Sequence, residues 1–308
     1  MKRSLVLGVL LSAGTLTIGM AAQQAQPRVI EVEKLKDNLY VLKGGGGNTA
    51  VFIMSNGVAV VDAKNPGWGQ PILDKIKTLT DKPVTTLINT HTHGDHVSGN
   101  VEFPASVDIV VQENTAANMK KMIPNSTAAD QKVPAKTIFD EHNGQGLPKH
   151  TFKDKMTIGK GADEIDLFYF GRGHTNGDAW VLFPALRVVH AADIFSGKNL
   201  PLLDANNGGS AAEIAGSLQK GYDTLNGKVD TIITGHSNEM TPADLKEYAQ
   251  FNRDFYNDAV AAKKAGKSVD DVAASWKMPA KYQGYPAITP NDMVRLKNNV
   301  ALAYKEAK

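Results

Sequence analysis

The chain has 308 residues, no cysteine, and 34 Lys and Arg against 32 Asp and Glu, a formal net charge of +2. Without cysteine there is no disulfide, no thiol nucleophile and no thiolate ligand, so any metal site must use histidine and carboxylate. A charge so near zero, with no Lys/Arg-rich block, argues against nucleic acid as a partner.

Read from the start, Lys2 and Arg3 precede an apolar stretch over residues 4–20, and Ala21 and Ala22 follow. This order reads as a secretory signal peptide spanning residues 1–22, with cleavage after Ala21 or Ala22. The expected location is periplasmic or secreted, with no stable membrane anchor after cleavage. Residues 29–42 alternate as one or two strands, with Asp37-Asn38 as a turn. Residues 49–54 and 58–61 form a hairpin around Ser55-Asn56-Gly57, and the glycine run 44–48 reads as a mobile hairpin tip. Residues 68–80 carry helical spacing (Ile72, Leu73, Ile76, Leu79), and Pro83 ends it before a buried-type strand at 84–88.

A further strand is expected at 107–111 and a helix at 113–122. Residues 126–146 are polar, with Pro and Gly, and read as a loop or mobile flap. Four short strands follow at 157–158, 164–170, 179–183 and 187–190, then an amphipathic helix at 211–225 and a last strand at 231–234. From Thr241 the pattern is helical only, starting at the N-cap Thr241-Pro242 and again at Ser268 and Thr289-Pro290. The sum is an α/β chain of two strand-rich halves with a helical tail. That tail either shapes a substrate cleft or forms a dimer interface.

The chemistry concentrates at "HTHGDH", residues 91–96, directly after the 84–88 strand. In extended backbone His91 and His93 share a side, and Gly94 permits the turn that brings Asp95 and His96 round. Four potential ligands in so short a loop suit two ions better than one. Three later strand ends supply more candidates: His174 in "GRGHTNGD", Asp193 in "VVHAADIF" and His236 in "IITGHSNEM". Strand termini are where ligands converge in α/β sheets. His190 reads as a packed strand residue, and His142 and His150 as surface or flap residues. Asp62, ending a buried strand, reads as a support for the histidine loop, and Lys198 as a contact for a substrate carboxylate. There is no GxSxG nucleophile elbow, and neither the 44–48 glycines nor "AGKS" at 265–268 makes a nucleotide motif.

HTHGDH at 91–96, GHTNGD at 173–178, AADIF at 191–195 and TGH at 234–236, in that order, resemble the metallo-β-lactamase superfamily. The resemblance implies a four-layer αββα sandwich over residues 28–240 with the metals at one rim, followed by a helical C-terminal extension over 241–308. It implies a first zinc on His91, His93 and His174, a second on Asp95, His96 and His236, and Asp193 bridging them. Asp at 193 excludes the lactamases with a cysteine ligand. The AADIF segment is similar to the GDxxF form of thioesterase-like and lactonase-like members, and Ile194 stands where cysteine-free lactamases often carry serine. The implied chemistry is hydrolysis of a C(=O)–X bond in a small-molecule substrate: β-lactam, lactone or thioester. Two cations bring the pKa of a bridging water towards neutrality so that hydroxide attacks, with Asp95 as the catalytic residue orienting it. The alternatives are an iron-dependent relative with redox or oxygen chemistry, a glyoxalase II-like thioesterase, and a non-catalytic zinc module. The last needs only about four closed ligands, fewer than are present.

Overall fold

Alternation of apolar residues along the strands decides the architecture. In the computed structural model, which describes residues 28–128 and 131–308, successive strand residues enter different cores. The expected signal peptide lies outside the described residues. Seven strands form the first sheet in sequential order: β1 (Glu31–Lys36), β2 (Leu39–Lys43), β3 (Thr49–Ile53), β4 (Val58–Val61), β5 (Val84–Ile88), β6 (Asp108–Gln112) and β7 (His150–Phe152). The neighbours are antiparallel up to β4 and parallel from β4 to β7. The second sheet runs β12 (Thr231–Thr234), β11 (Val188–Ala192), β10 (Ala179–Phe183), β9 (Ile165–Tyr169) and β8 (Lys155–Ile158).

Val41, Ala50, Phe52, Val61 and Ile88 of the first sheet meet Leu167, Val181, Phe183 and Ile233 of the second in the central core. Their strand neighbours Leu42, Val51, Val60 and Leu87 face outward. There they pack with α1 (Gly69–Lys77), α3 (Glu113–Met119) and α4 (Ile138–Glu141). On the far side Trp180, Val189 and Ile232 pack against α5 (Ile214–Leu225), α6 (Pro242–Lys264) and α8 (Met293–Glu306). The layers are therefore αββα, as period-two strands buried on both faces require.

Two expectations change here. Residues 126–146 are not wholly a flap: Thr137 and Asp140 form a capping box on α4, and Phe139 of that turn is fully buried under the first sheet. Helices α6 and α8 share the second sheet's outer core through Leu245, Tyr248, Phe251, Leu296 and Val300, so the helical tail is part of a layer. The short helix α7 (Val269–Ser275) adds Val272 and Ala273 to the same core. Among the described residues no helix is long and apolar enough to cross a membrane.

Candidate metal centre

Strand ends of both sheets meet at one rim. β5 leads through Asn89 and Thr90 into the histidine loop, where His93 caps the four-residue helix α2 (Gly94–Val97) that carries Asp95 and His96. His174 lies in the β9–β10 loop, which Asp178 closes by accepting Thr175 N (2.9 Å) and Thr175 Oγ1 (2.5 Å). Asp193 follows β11 and His236 follows β12. All seven expected residues come together in two groups that can hold metal ions: His91, His93, His174 and Asp193, then Asp95, His96 and His236.

Outer partners set which nitrogen of each ring faces inward. His96 Nδ1 donates to Asp62 Oδ2 at 2.7 Å, and His174 Nδ1 donates to the Leu202 carbonyl at 2.7 Å. His93 Nε2 donates to Asp204 Oδ2 at 2.7 Å. Thr90 Oγ1 gives its hydrogen to Asp62 Oδ2 (2.7 Å) and so accepts from His91 Nδ1 (3.0 Å). With these protons placed, His91 Nε2, His93 Nδ1 and His174 Nε2 present lone pairs to the centre. His93 Nδ1 and His174 Nε2 lie 2.9 Å apart. His91 Nε2 is buried and lacks a hydrogen-bond partner. Converging bare acceptors are unfavourable without a cation between them, so this donor set fits bound metal.

Electrostatics divides the two groups. Burial, then the neighbouring imidazoles, holds His91 well below the usual histidine pKa, and burial with His93 lowers His174. These rings are neutral. Burial also opposes charge on His96 and His236, but Asp193 and Asp95 outweigh it, raising His96 well above its ordinary value and His236 to about 9. His236 Nε2 sits 3.2 Å from both Asp95 Oδ2 and Asp193 Oδ2, and His96 Nε2 3.3 Å from Asp193 Oδ1. Burial alone would raise Asp95 and Asp193, yet His96 and His236 bring both down and keep them ionised. In the metal-free centre, protons on the second group thus balance the carboxylates.

His96 is sealed, whereas the side chains of Asp95 and His236 are 31% and 40% exposed, so the centre opens on their side. A cleft of about 400 Å³ adjoins it, lined by Thr92, His93 and Asp95, by Met122 and Asn125, and by Lys132 and Lys136.

Several neighbours differ from the sequence reading. The glycine run is packed into the back of the centre. Gly47 N donates to Asp95 O, and Asn48 pins the TGH turn through Gly235 O (2.7 Å), Thr234 O (3.0 Å) and Ser237 O (2.8 Å). A Cβ on Gly47 would enter the His96 ring, which is why only glycine fits. Lys198 is committed to Asp244 (2.8 Å) and Glu247 (3.1 Å) on α6 and does not face the cleft. Asp62 supports His96 as expected, and His190 is packed, its Nε2 donating to Asn48 O. His150 is exposed and pairs with Asp108, and His142 is exposed at the end of α4. Sequence reading missed Asp204, Asp178 and Lys64. Lys64 is fully buried, its pKa brought down to about 8 by burial, and Nζ donates to Leu42 O (2.9 Å) and Gly47 O (2.7 Å).

Residues 42–236 match the family model of the metallo-beta-lactamase superfamily. The chain belongs to that superfamily. It is 30% identical over 204 residues to a metallo-beta-lactamase type 2 of Elizabethkingia meningoseptica, which spans 61% of this chain and 69% of the relative. It is 28% identical over 175 residues to a hydroxyacylglutathione hydrolase of Nostoc punctiforme, 56% of this chain but about half (54%) of that relative's length. Among solved structures, a metallo-beta-lactamase from Pontibacter korlensis superposes with a TM-score of 0.58 at 18% identity, over 73% of this chain and 99% of its own. The sec-alkyl sulfatase PisA1 reaches 0.68 at 15% identity, over 90% of this chain and 50% of its own. At such identities these two show the shared fold alone. As a member of the superfamily the chain is a metal-dependent hydrolase.

Proposed function

We propose that this superfamily member is an exported dinuclear-zinc hydrolase that cleaves a C(=O)–X bond in a small molecule. Its first choice of substrate is a β-lactam, followed by a thioester or lactone. The observation that carries the reading is the pair of ligand groups meeting at Asp193, which lies 3.3 Å from His96 Nε2 and 3.2 Å from His236 Nε2, with His91 Nε2 left bare. His91, His93 and His174 would hold one ion, Asp95, His96 and His236 the other, and Asp193 both. Such ions, when bound, polarise a carbonyl and acidify a nucleophilic water. The chain's own residues do the rest. Asp62, Asp204 and the Leu202 carbonyl fix the imidazoles so that their lone pairs point inward. Asp95, partly open to solvent, accepts a hydrogen bond from the nucleophile and orients it towards the cleft. The cleft's volume suits a small molecule, and Lys132 and Lys136 on its wall suit one bearing a carboxylate.

The type 2 metallo-beta-lactamase relative supports β-lactam, and export supports it too, since such compounds act outside the cytoplasm. The hydroxyacylglutathione hydrolase relative and the AADIF segment support a thioester as the second reading. The test is elemental analysis followed by a hydrolysis panel of β-lactams, thioesters and lactones on zinc-loaded protein, with His93→Ala as control. Chelator-sensitive turnover of one class, abolished in the control, is expected. Fewer than two ions in fully loaded protein would refute the dinuclear centre, and inertness towards all three classes would refute the substrate assignment. Export is checked by the intact mass of the periplasmic or secreted protein, and full-length mass in the cytoplasm would refute it.

A further inference from the structure

The centre is tied to the far end of the chain. Asp204, buried in the loop after β11, accepts from His93 Nε2 through Oδ2 and from Ser126 N (2.8 Å) and Asn206 N (3.1 Å) through Oδ1. Asn207 Nδ2 bridges Asp204 Oδ2 (2.6 Å) and the Ile123 carbonyl (2.9 Å). One carboxylate thus joins a ligand histidine, the loop after β11 and Ser126, which directly follows the Ile123, Pro124 and Asn125 that wall the cleft. From the other side, two consecutive asparagines of α8 hold these same loops. Asn298 Nδ2 donates to Ser126 O at 2.7 Å, and Asn299 Nδ2 donates to Pro201 O at 2.7 Å. Asn299 is buried on a helix face with Leu296, Val300 and Ala303, and there its Nδ2 is bonded while its Oδ1 has no partner. Both asparagines lie beyond the 42–236 span shared with the superfamily model.

We infer that Asn298 is a positioning residue for the metal centre, acting through Ser126 and Asp204 on His93. Ser126 is fixed at both of its peptides, by Asn298 at the carbonyl and by Asp204 at the amide. Releasing the carbonyl lets the amide drift, and Asp204 loses a donor that holds its carboxylate plane against His93. Ligand geometry tolerates only about 0.5 Å and 10–20° of such drift. The inference rests on the reading that His91, His93 and His174 hold an ion.

The experiment is zinc competition between the full-length protein and the chromogenic chelator 4-(2-pyridylazo)resorcinol, with melting of the metal-free proteins measured alongside. Asn298→Ala removes the donor, and Asn298→Asp removes it without changing shape. Lys297→Ala, an exposed neighbour on the same helix, is the control. Direct outer partners of a metal ligand are typically worth about 10–100-fold in metal affinity, so one bond further out we expect a loss of about three- to tenfold. The loss is confined to one of the two zinc equivalents, with metal-free melting and the control unchanged. Equal affinity in wild type and both variants overturns the inference. So does an equal loss at both equivalents with lowered metal-free melting, which is the mark of a purely structural asparagine. Wild type that takes up no zinc refutes the ligand reading itself, and this inference with it.

Discussion

Each imidazole of the histidine loop has one nitrogen committed outward, and the second group carries protons where the first does not. That difference predicts proton bookkeeping on metal uptake. His236 is raised to about 9, so at pH 7 it is charged in the metal-free protein and must lose its proton to become a ligand. Zinc entering the second group should therefore release protons at pH 7, and fewer as pH rises through 9. His91 and His174 are held low and should release none. Titration calorimetry in buffers of different ionisation enthalpy reads this directly, and equal release at pH 7 and pH 10 would contradict it. The seven clustered residues were legible in the sequence because HxHxDH is dense, and because His174, Asp193 and His236 each follow an apolar strand. Asp204 and Lys64 were not. Asp204 sits in "PLLDANNGG", where turn composition explains an aspartate fully, and Lys64 lies in the loop just after β4, where a solvated lysine is the ordinary outcome.

Loops rather than strands give the centre its precision. Gly235, between β12 and His236, approaches Asp193 so closely that a Cβ would overlap Oδ1. Gly235→Ala should push the carboxylate out of line and weaken metal retention by about 10–100-fold, the effect usual for a perturbed ligand surround. Zinc competition measures it, and wild-type affinity would show that the loop yields freely. The 126–146 segment shows where sequence patterning stops. Its strands and helices elsewhere were visible from period two and period 3.6, but one helical turn with a single buried aromatic has no period. Phe139→Ala should cost about 3–5 kcal/mol, as for a fully buried ring, read from denaturant midpoints. A change under about 1 kcal/mol would mean that the segment is mobile after all. The helices after Thr241 were legible as helices from their caps. Their place in the second sheet's outer layer was not, because it depends on tertiary packing of Tyr248, Phe251 and Leu296 against Trp180 and Ile232.

At the scale of the molecule, the first sheet supplies His91, His93, Asp95 and His96, and the second supplies His174, Asp193 and His236. No half of the sandwich holds a complete group, since Asp193 and His174 must join His91 and His93, and His236 must join His96. A bound ion would therefore bridge two layers that are also joined by the apolar central core and by loop hydrogen bonds such as those of Asn48 and Asp204. At free zinc about a thousandfold above its dissociation constant, the ion adds about 4 kcal/mol to the folded state. The consequence is one of timing. The ligands align only after both sheets have closed on each other, so this energy is absent while the chain is still assembling. Zinc should leave the refolding rate nearly untouched and slow unfolding by up to about a thousandfold. Guanidinium jumps with and without zinc would show it as displacement of the unfolding arm alone, and acceleration of refolding would place the ion early in assembly instead. On this account metal acts as a latch: it decides how long the protein lasts, while the apolar sheets decide how quickly it forms.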